Sequence, residues 1–422
     1  MNRINNLKLK LILFSLGLGL FQCTEPIQID MAILEEKETQ PNFEEDLNFL
    51  RKHNEVILLS DSSSKAQIAV VPTYQGRVMT STALGPKGVS FGWINRELIA
   101  SGKINPHINA YGGEDRFWMG PEGGQFSIFF KPGDPFDLEH WQTPAVIDSV
   151  PYAVVALDDR KVSFRHQAEV VNYSETRFNI QIDRTIELLD RETVSQVIGN
   201  IGTDVPLVSY RTINTITNQG IEDWNKDQGL LSIWILGMFK SSPTTTVVIP
   251  YTQGSEEKLG PIVNDNYFGD VPDDRLVITD NHIFFKTDGA FRSKIGITPQ
   301  RSRSISGSYD WKAGLVTIAH FQQPSNVLDY VNSMWKIQED PYRGDVINSY
   351  NDGPPSPSYQ PLSSFYEIET SSPAAVLRAG ESITHIHTTI HLTGVPSTLD
   401  PILEHSLGVN SRSIRNAFGS GE

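Results

Sequence analysis

The chain has 422 residues, and its 35 Lys and Arg residues against 50 Asp and Glu residues give a formal net charge of −15. This acidic balance would repel a phosphate backbone and no Lys/Arg stripe is present, so we expect no nucleic-acid partner. The single cysteine, Cys23, excludes an internal disulfide framework and a cysteine-based zinc cluster.

The N-terminal segment has the layout of a secretory signal. Basic residues at 3, 8 and 10 precede an apolar run over 11–21, which is roughly half as long as the ~20 residues that a transmembrane helix needs. Cys23 follows this run, as the lipidated cysteine does in the lipobox of bacterial lipoproteins. The sequence therefore predicts a signal peptide over 1–22, lipidation at Cys23, and a protein anchored by lipid at the outer membrane or periplasmic face of a bacterial cell. An ordinary cleaved signal is the alternative.

The next segment predicts a tether and then the start of a folded domain. Residues 24–46 hold eight acidic residues and one base, a composition that stays solvated, so 23–41 is expected to be an acidic flexible tether. Asn42 can cap a short helix with apolar residues at 43, 47 and 50. We place the folded domain at 42–395 and expect 396–422 to be a partly disordered C-terminal tail.

Short β-like runs separated by Gly, Pro, Asn and Asp fill the domain. Many alternate apolar and polar residues, as half-buried antiparallel strands do; examples are 66–71, 125–130, 152–157, 176–188, 194–198, 245–249 and 315–321. Helical spacing is found only at 95–100 and 327–335. No change in composition divides this region, so the sequence predicts an all-β fold, one large antiparallel sandwich with one or two short helices.

Motifs for nucleotides and for serine hydrolases are missing or lack their context. No phosphate-binding P-loop pattern occurs, and we expect no cofactor. Gly88-Val89-Ser90-Phe91-Gly92 matches the Gly-x-Ser-x-Gly elbow of α/β-hydrolases, but residues 85–87 interrupt the strand that should lead into it. A tight turn is the preferred interpretation of this motif.

The densest polar and aromatic constellation lies between residues 105 and 124. Sugar sites combine planar apolar surfaces with carboxylate, amide and guanidinium groups that match hydroxyls. An irregular loop whose charges satisfy one another is the alternative. The candidate sugar-contacting residues here are His107, Asn109, Glu114, Asp115, Arg116, Trp118 and Glu122.

A second constellation closes the domain between residues 365 and 392. In strand geometry Glu367 and Glu369 share one face, and His385, His387 and His391 share another. Carboxylates near histidines can form an acid/base pair or a metal site. No further carboxylate with matching spacing completes a three-ligand set, so no metal site is predicted.

The motifs of this C-terminal region resemble those of the aldose 1-epimerase (galactose mutarotase) superfamily. Tyr366-Glu367-Ile368-Glu369-Thr370 is similar to the family strand that carries its catalytic glutamate, and Leu377-Arg378-Ala379-Gly380-Glu381 to the turn that follows. The segments 109–122, 184–188 and 210–220 are similar to further family elements, so the resemblance spans about Val56 to Leu392. It implies a galactose mutarotase-like β-supersandwich with a sugar site on its concave face.

The resemblance also implies roles for individual residues. Glu369 falls at the position of the general base, which removes the anomeric hydroxyl proton while a histidine acid donates to the ring oxygen. Gln219 stands where one family histidine is expected, and a glutamine cannot be a general acid. His107 is nearest by order to the other, so we take Glu369 and His107 as the catalytic candidates, with Arg116, His282 or His320 as other sources of the acid.

Three functional hypotheses remain open at this stage. The chain acts on a sugar or glycan in a cleft as an epimerase-like isomerase or other carbohydrate-active enzyme, with Glu369 as base and Glu367 among the substrate-binding residues. Alternatively, it is a surface lipoprotein that binds glycans without turnover, or a structural protein on the same sandwich. A titratable acid that faces Glu369 across a pocket would favour the enzyme hypothesis over the two alternatives.

Overall fold

The computed structural model describes residues 40–354 and 364–419. The predicted signal peptide, Cys23 and nearly all of the predicted tether lie outside the described residues. Within the described ranges, no helix is both long and apolar enough to cross a membrane.

Eighteen strands form the framework of the described residues, and every strand pair is antiparallel. In chain order they are β1 (Ile57–Ser60), β2 (Gln67–Val71), β3 (Arg77–Thr82), β4 (Arg116–Gly120), β5 (Ala153–Leu157), β6 (Lys161–Val171), β7 (Arg177–Leu188), β8 (Leu207–Asn218), β9 (Ser232–Lys240), β10 (Thr245–Pro250), β11 (Leu276–Ile278), β12 (His282–Lys286), β13 (Ser293–Ile297), β14 (Ile305–Asp310), β15 (Leu315–Phe321), β16 (Ile347–Asn351), β17 (Phe365–Ser371) and β18 (Ser382–Thr393).

The strands form three sheets. A ten-stranded sheet has the order β11-β12-β10-β14-β15-β18-β8-β7-β6-β5, a five-stranded sheet the order β13-β16-β17-β9-β4, and a small sheet the order β1-β2-β3. This arrangement confirms the predicted all-β, antiparallel β-sandwich.

The two larger sheets pack face to face because their strands alternate apolar and polar residues. On β7, Phe178, Ile180 and Ile182 are buried while the residues between them are partly or fully exposed. They belong to one hydrophobic cluster with Phe117 of β4 and Ile235 of β9. The other face of the five-stranded sheet is therefore left to form a site.

Seven short α-helices lie among the described residues, more than the one or two that the sequence predicted. The predicted helix after the tether is confirmed: Asn42 and Glu45 form a capping box at its start. The helical turns predicted at 95–100 are also confirmed. The helices are α1 (Phe43–His53), α2 (Arg96–Ser101), α3 (Ala145–Asp148), α4 (Arg191–Ile198), α5 (Glu256–Leu259), α6 (Pro396–Ser406) and α7 (Ser411–Arg415).

Three segments differ from the predicted elements. Residues 194–198, predicted as a strand, belong to α4, because the Asp190 side chain accepts a hydrogen bond from the Thr193 backbone and caps a helix there. Residues 125–130 are irregular rather than a strand. Residues 327–335 are irregular rather than helical, and the Asn332 side chain accepts from the Met334 backbone in place of a helical bond.

The C-terminal segment also differs from the expected partly disordered tail. Residues 396–406 and 411–415 form α6 and α7. Their apolar residues Leu399, Leu403 and Ile414 are fully buried in a cluster with β15 and β18. Burial of these side chains anchors the segment to the domain.

The Gly-x-Ser-x-Gly motif forms no nucleophile elbow. Ser90 is buried, donates a hydrogen bond to Asp46 Oδ2 at 2.5 Å and lies 2.6 Å from Thr80 Oγ1. Residues 88–92 belong to no strand or helix. The motif therefore ties α1 to the small sheet and supplies no catalytic serine.

Candidate functional site

The outer face of the five-stranded sheet combines charged and aromatic side chains. The pairing register sets Glu369 of β17 opposite Asn348 of β16 and Leu236 of β9. Because side chains alternate along each strand, Trp234 and Lys294 lie on this same face. The inward-facing residues of these strands fill the hydrophobic core instead.

A cavity of about 410 Å³ opens on this face. Its volume falls in the range of small-molecule sites, about 300–1,000 Å³. Residues of β9, β13, β16, β17 and of four connecting segments line it, so the site depends on four strands of the sheet. The aromatic wall consists of Trp141, Trp234, Tyr267, Phe268 and Trp335, and the polar lining includes Glu122, Ser232, Arg292, Lys294, Asp345 and Asn348.

Glu369 lies directly below this cavity and is fully buried. Its Oε2 accepts hydrogen bonds from Lys294 Nζ and from Trp234 Nε1, both at 3.0 Å, while Oε1 has no hydrogen-bond partner. Lys294 and Trp234 line the cavity and Glu369 does not. The buried carboxylate therefore acts on the site through these two residues.

Lys294 is the centre of the charge distribution. Burial by itself would lower the pKa of its ammonium group, but the carboxyl groups of Glu369, Glu122 and Glu367 outweigh this effect and raise the pKa. The side chain is 11% exposed. Lys294 is consequently a protonated group held at the cavity surface.

Several carboxyl groups near Lys294 are held towards their neutral forms. Burial raises the pKa of Glu122 and outweighs the opposing effect of Lys294. Burial and the adjacent Glu369 together raise the pKa of Glu367 well above its ordinary value. Acids with raised pKa values can donate protons near neutral pH.

Asp345 adds an acid poised closer to neutrality. Burial raises its pKa to about 6, although hydrogen bonds from Tyr267 and from Asn264 Nδ2, the latter at 2.7 Å, lower it. The site needs glycine at position 296, since a Cβ there would lie 2.1 Å from Asp345 Oδ2. The cavity thus presents two acids in different environments, Glu122 and Asp345.

The predicted site residues divide between this face and the interior. Glu122 lines the cavity, and Glu367 is half-buried beside Glu369. Trp118 supports the wall from behind, with its ring centroid 5.3 Å from that of Trp234 at 62°. Among the predicted residues, Glu122 therefore has the most direct access to a ligand.

Arg116 and Asn109 form a supporting layer. The Arg116 guanidinium lies 4.0 Å from the Trp118 ring centroid and forms an ion pair with Asp148 at 3.1 Å. Asn109 donates to the same carboxylate through its side chain at 2.7 Å. Both residues are buried, so they position Trp118 and the loop rather than contact a ligand.

Glu114 and Asp115 lie between the two large sheets, outside the cavity. Glu114 accepts hydrogen bonds from the Ser81 backbone at 2.6 Å and the Tyr210 hydroxyl at 3.1 Å. Asp115 accepts from Arg184 at 2.6 Å, and all five of these residues are buried. The structure gives these two acids a role in holding the sheets together.

A pair of glycines precedes Glu114, and the backbone conformation explains why glycine is needed at both positions. Gly112 and Gly113 have φ values of +91° and +110°, a region that other residues rarely adopt. A Cβ at Gly112 would lie 2.1 Å from the Trp93 carbonyl oxygen. The pair therefore permits close backbone packing at the entrance to β4.

None of the histidines proposed as the acid lines the cavity. His107 is exposed, and its Nδ1 lies 2.6 Å from the Trp141 carbonyl oxygen. His282 Nε2 lies 2.9 Å from the Leu407 carbonyl oxygen, and His320 belongs to β15 of the ten-stranded sheet. Glu122 and Asp345 are the titratable acids that the structure places at the cavity.

The C-terminal histidines form a buried hydrogen-bonded group. Thr370 Oγ1 lies 2.8 Å from both His385 Nε2 and His387 Nδ1. Burial lowers the pKa of His385 to about 3 and that of His387 to about 4, so both rings are neutral. In the part of the chain that the structure describes, no group of three or more His, Cys, Asp or Glu residues could hold a metal ion.

A second cavity of about 500 Å³ is less suited to a ligand. Its polar lining includes Asn109 and Asp148. The Asp148 carboxylate accepts a hydrogen bond from Asn109 and forms an ion pair with Arg116. These groups have already used their hydrogen-bonding capacity within the protein. We therefore place the candidate site at the cavity above Glu369.

Sequence reasoning missed most of the cavity lining. Trp141, Trp234, Lys294, Trp335 and Asp345 come from four separate segments, each without a motif of its own. The alternation of charged residues in Arg292-Ser293-Lys294 is the one local signal, because it places both cations on one face of a strand.

A protein-family model matches residues 41–418, which is most of the chain. Its description is a family of unknown function, DUF6786. The chain belongs to this family. A comparison with curated proteins finds no match.

Solved structures similar to this DUF6786 protein include galactose mutarotase-like proteins. The Slr1438 protein from Synechocystis sp. PCC 6803 is 15% identical, with a TM-score of 0.47 over 81% of this chain and 96% of that chain. A galactose mutarotase-like protein from Lactobacillus casei ATCC 334 is 10% identical, with a TM-score of 0.46 over 80% and 100%. A galactose mutarotase related enzyme from Lactobacillus acidophilus is 8% identical, with a TM-score of 0.44 over 81% and 98%. No activity follows from these similarities for this chain.

Proposed function

We propose that this chain binds a sugar ring in the cavity above Glu369 and catalyses proton transfer at its anomeric centre. The observation that supports this proposal is the pairing of Glu122 and Asp345, two acids with raised pKa values, in one aromatic-walled cavity beside protonated Lys294. Proton-transfer sites typically hold two titratable groups in environments that shift their pKa values apart, so that one serves as the acid and the other as the base.

The lining suits a sugar in two ways. The rings of Trp141, Trp234 and Trp335 offer flat apolar surfaces to the C–H faces of a pyranose. Asn348 and Ser232 add polar groups that can bond to hydroxyls, and the buried Ser232 Oγ has no hydrogen-bond partner among the described residues. A polar group left open in this way is suited to a ligand.

The proposed reaction interconverts anomers. Ionised Asp345 removes the proton from the O1 hydroxyl, the C1–O5 bond breaks as a C1 carbonyl forms, and protonated Glu122 donates its proton to O5. Rotation about C1–C2 and the reverse steps close the ring on the other face and return both protons. Lys294 stabilises negative charge that develops on oxygen.

Glu369 has a different role here from that implied by the family resemblance. Its Oε2 already accepts from Lys294 and Trp234, and the side chain is fully buried. We assign it as a positioning residue that holds the Lys294 ammonium and the Trp234 ring in place. His107, which is exposed and outside the lining, has no role in the proposed reaction.

Polarimetry with freshly dissolved α-glucose and α-galactose tests the enzyme proposal. We expect the purified protein to accelerate anomer exchange, and Glu122→Gln and Asp345→Asn each to slow it by about 10²-fold or more. Glu257→Gln, a change at an exposed glutamate of α5, is the matched control and should leave the rate unchanged. No acceleration with any sugar, or equal rates in all variants, would refute the proposed reaction.

Binding without turnover remains the second candidate function, because the aromatic wall supports it independently of the acids. A glycan array and titration calorimetry with the same sugars separate the two. Binding that persists in Glu122→Gln and Asp345→Asn without anomer exchange would favour a glycan-binding protein. A blank array together with no exchange would exclude both sugar-based functions.

We further propose that Cys23 carries a lipid anchor, as the sequence predicts. The support is the basic start and the apolar run before Cys23. Acyl chains stabilise membrane association by roughly 0.8 kcal/mol per buried CH₂ group. Cys23→Ala should release the protein from membranes in fractionated cells, and unchanged membrane retention would contradict the anchor.

A further inference from the structure

Arg292 stands at the cavity without an ionic partner. It precedes β13, is half-buried and lines the cavity with Lys294. Its guanidinium carbon lies 4.0 Å from the ring centroid of Phe268, which is 48% exposed. Stacking on this ring fixes the plane of the guanidinium and uses none of its N–H donors.

The other cations of the five-stranded sheet differ from Arg292. Lys294 forms an ion pair with Glu369 at 3.0 Å, Arg116 with Asp148 at 3.1 Å, and Lys240 with Asp46 at 3.5 Å. Within residues 40–354 and 364–419, Arg292 forms no ion pair and its guanidinium donates no hydrogen bond. Its donors remain open to the cavity.

The surrounding charges leave Arg292 uncompensated. Glu369 is engaged by Lys294, and Tyr267 and Asn264 donate to Asp345. The raised pKa of Glu122 reduces the negative charge on the remaining lining carboxyl group. An incoming oxyanion would meet a planar, fixed donor fork, which matches the geometry of a carboxylate or sulfate.

We propose that the ligand is an acidic sugar whose carboxylate or sulfate group pairs with Arg292 while its ring lies against the tryptophans. This inference rests on the proposed function and adds a substrate class to it. The position of the half-exposed Phe268 places the charged group near the opening of the cavity.

Calorimetry with matched sugars tests this inference. D-galacturonate and D-glucuronate should bind about tenfold or more tightly than D-galactose and D-glucose. The methyl ester of D-galacturonate, which lacks the charge, should bind like the neutral sugars. D-galactose 6-sulfate distinguishes the two anion types: tight binding extends the class to sulfated sugars, whereas weak binding restricts it to carboxylates.

Substitutions of Arg292 test whether this residue is responsible. Arg292→Gln should abolish the preference for acidic over neutral sugars. Arg292→Lys should keep part of the preference, because it retains the charge without the planar fork. Arg303→Gln, at an exposed arginine, is the control and should keep the full preference. Circular dichroism verifies that each variant is folded.

The possible failures are distinguishable. If neutral and acidic sugars bind equally, or if the preference survives in Arg292→Gln, the inference is wrong while the proposed function stands. If no sugar of either kind binds, the inference and the proposed function both fail. A preference that weakens with rising salt supports the ionic contact, since exposed charges are screened.

Discussion

Replacement of Lys294 by methionine provides the sharpest test of the charge arrangement below the cavity. The change removes the ammonium group that pairs with Glu369 at 3.0 Å and retains an apolar chain of similar length. Glu369 is fully buried and would keep only the hydrogen bond from Trp234 Nε1. Its Oε1 accepts no hydrogen bond from the described residues.

The expected cost follows from this geometry. Removal of one member of a buried ion pair leaves an uncompensated charge and destabilises proteins by about 3–5 kcal/mol. The 11% exposure of the Lys294 side chain admits little water to screen the carboxylate. We therefore expect Lys294→Met to lower the free energy of unfolding by about 3–5 kcal/mol.

Urea unfolding followed by tryptophan fluorescence measures this loss. Lys294→Met combined with Glu369→Gln removes both charges, so the double variant should regain more than half of the stability that Lys294→Met loses. Lys226→Met is the matched control. It removes a similarly short ion pair, with Asp329 at 2.7 Å, whose members are 49% and 50% exposed. Exposed pairs contribute only about 0–1 kcal/mol.

Two results would refute this reasoning. A loss below about 1 kcal/mol in Lys294→Met would mean that Glu369 does not depend on Lys294 as a buried charge does. A double variant no more stable than Lys294→Met would mean that the loss arises from packing. Equal losses in Lys294→Met and Lys226→Met would remove the distinction between buried and exposed pairs.

Two further predictions concern buried polar groups. Folding raises the Asp345 pKa from 3.8 to about 6, so protonated Asp345 favours the folded state at low pH and this contribution is lost as the pH rises through 6. The stability of wild type relative to Asp345→Asn should fall by roughly 2 kcal/mol between about pH 4 and pH 7, and a flat difference would contradict the shift. Thr370→Val removes the hydroxyl at 2.8 Å from His385 and His387. It should cost roughly 2–4 kcal/mol in urea unfolding, whereas Thr215→Val, at a half-buried threonine whose hydroxyl lies 2.8 Å from that of Thr384, should cost far less.

The fold class could be predicted because alternation is a local property. The buried and exposed residues follow the two-residue period over all 12 residues of β7 and over residues 210–218 of β8, which only strands produce. The errors also have local causes. The β-branched residues of 194–198 favour a strand, but the cap at Asp190 starts a helix whose buried side chains join those of α6 in one hydrophobic cluster. The hydrogen bond that the Asp190 side chain accepts from the Thr193 backbone therefore determined that this segment is a helix.

The site could be predicted only where a single segment carried it. Glu122 and the strand with Glu367 and Glu369 lie where the motifs indicated, on or below the face that opens to the cavity. Lys294 and Asp345 could not be found from sequence, because their chemistry depends on burial and on neighbours distant along the chain. Strand pairing between β13, β16 and β17 brings them together.

The segment Glu114-Asp115-Arg116-Phe117-Trp118 shows why composition alone misassigned these acids. A ligand site and a polar link between two sheets need the same residue types, since both match carboxylates with donors. Here Glu114 and Asp115 face donors from the small and ten-stranded sheets, whereas Trp118 faces the cavity wall through Trp234. The polar link between the sheets and the wall of the site lie within five residues of each other because β4 is the edge strand of the five-stranded sheet and contacts both. Loss of Asp115 should therefore unfold the domain before it alters ligand specificity. Loss of Glu122 should instead alter the interaction with the ligand while the domain stays folded.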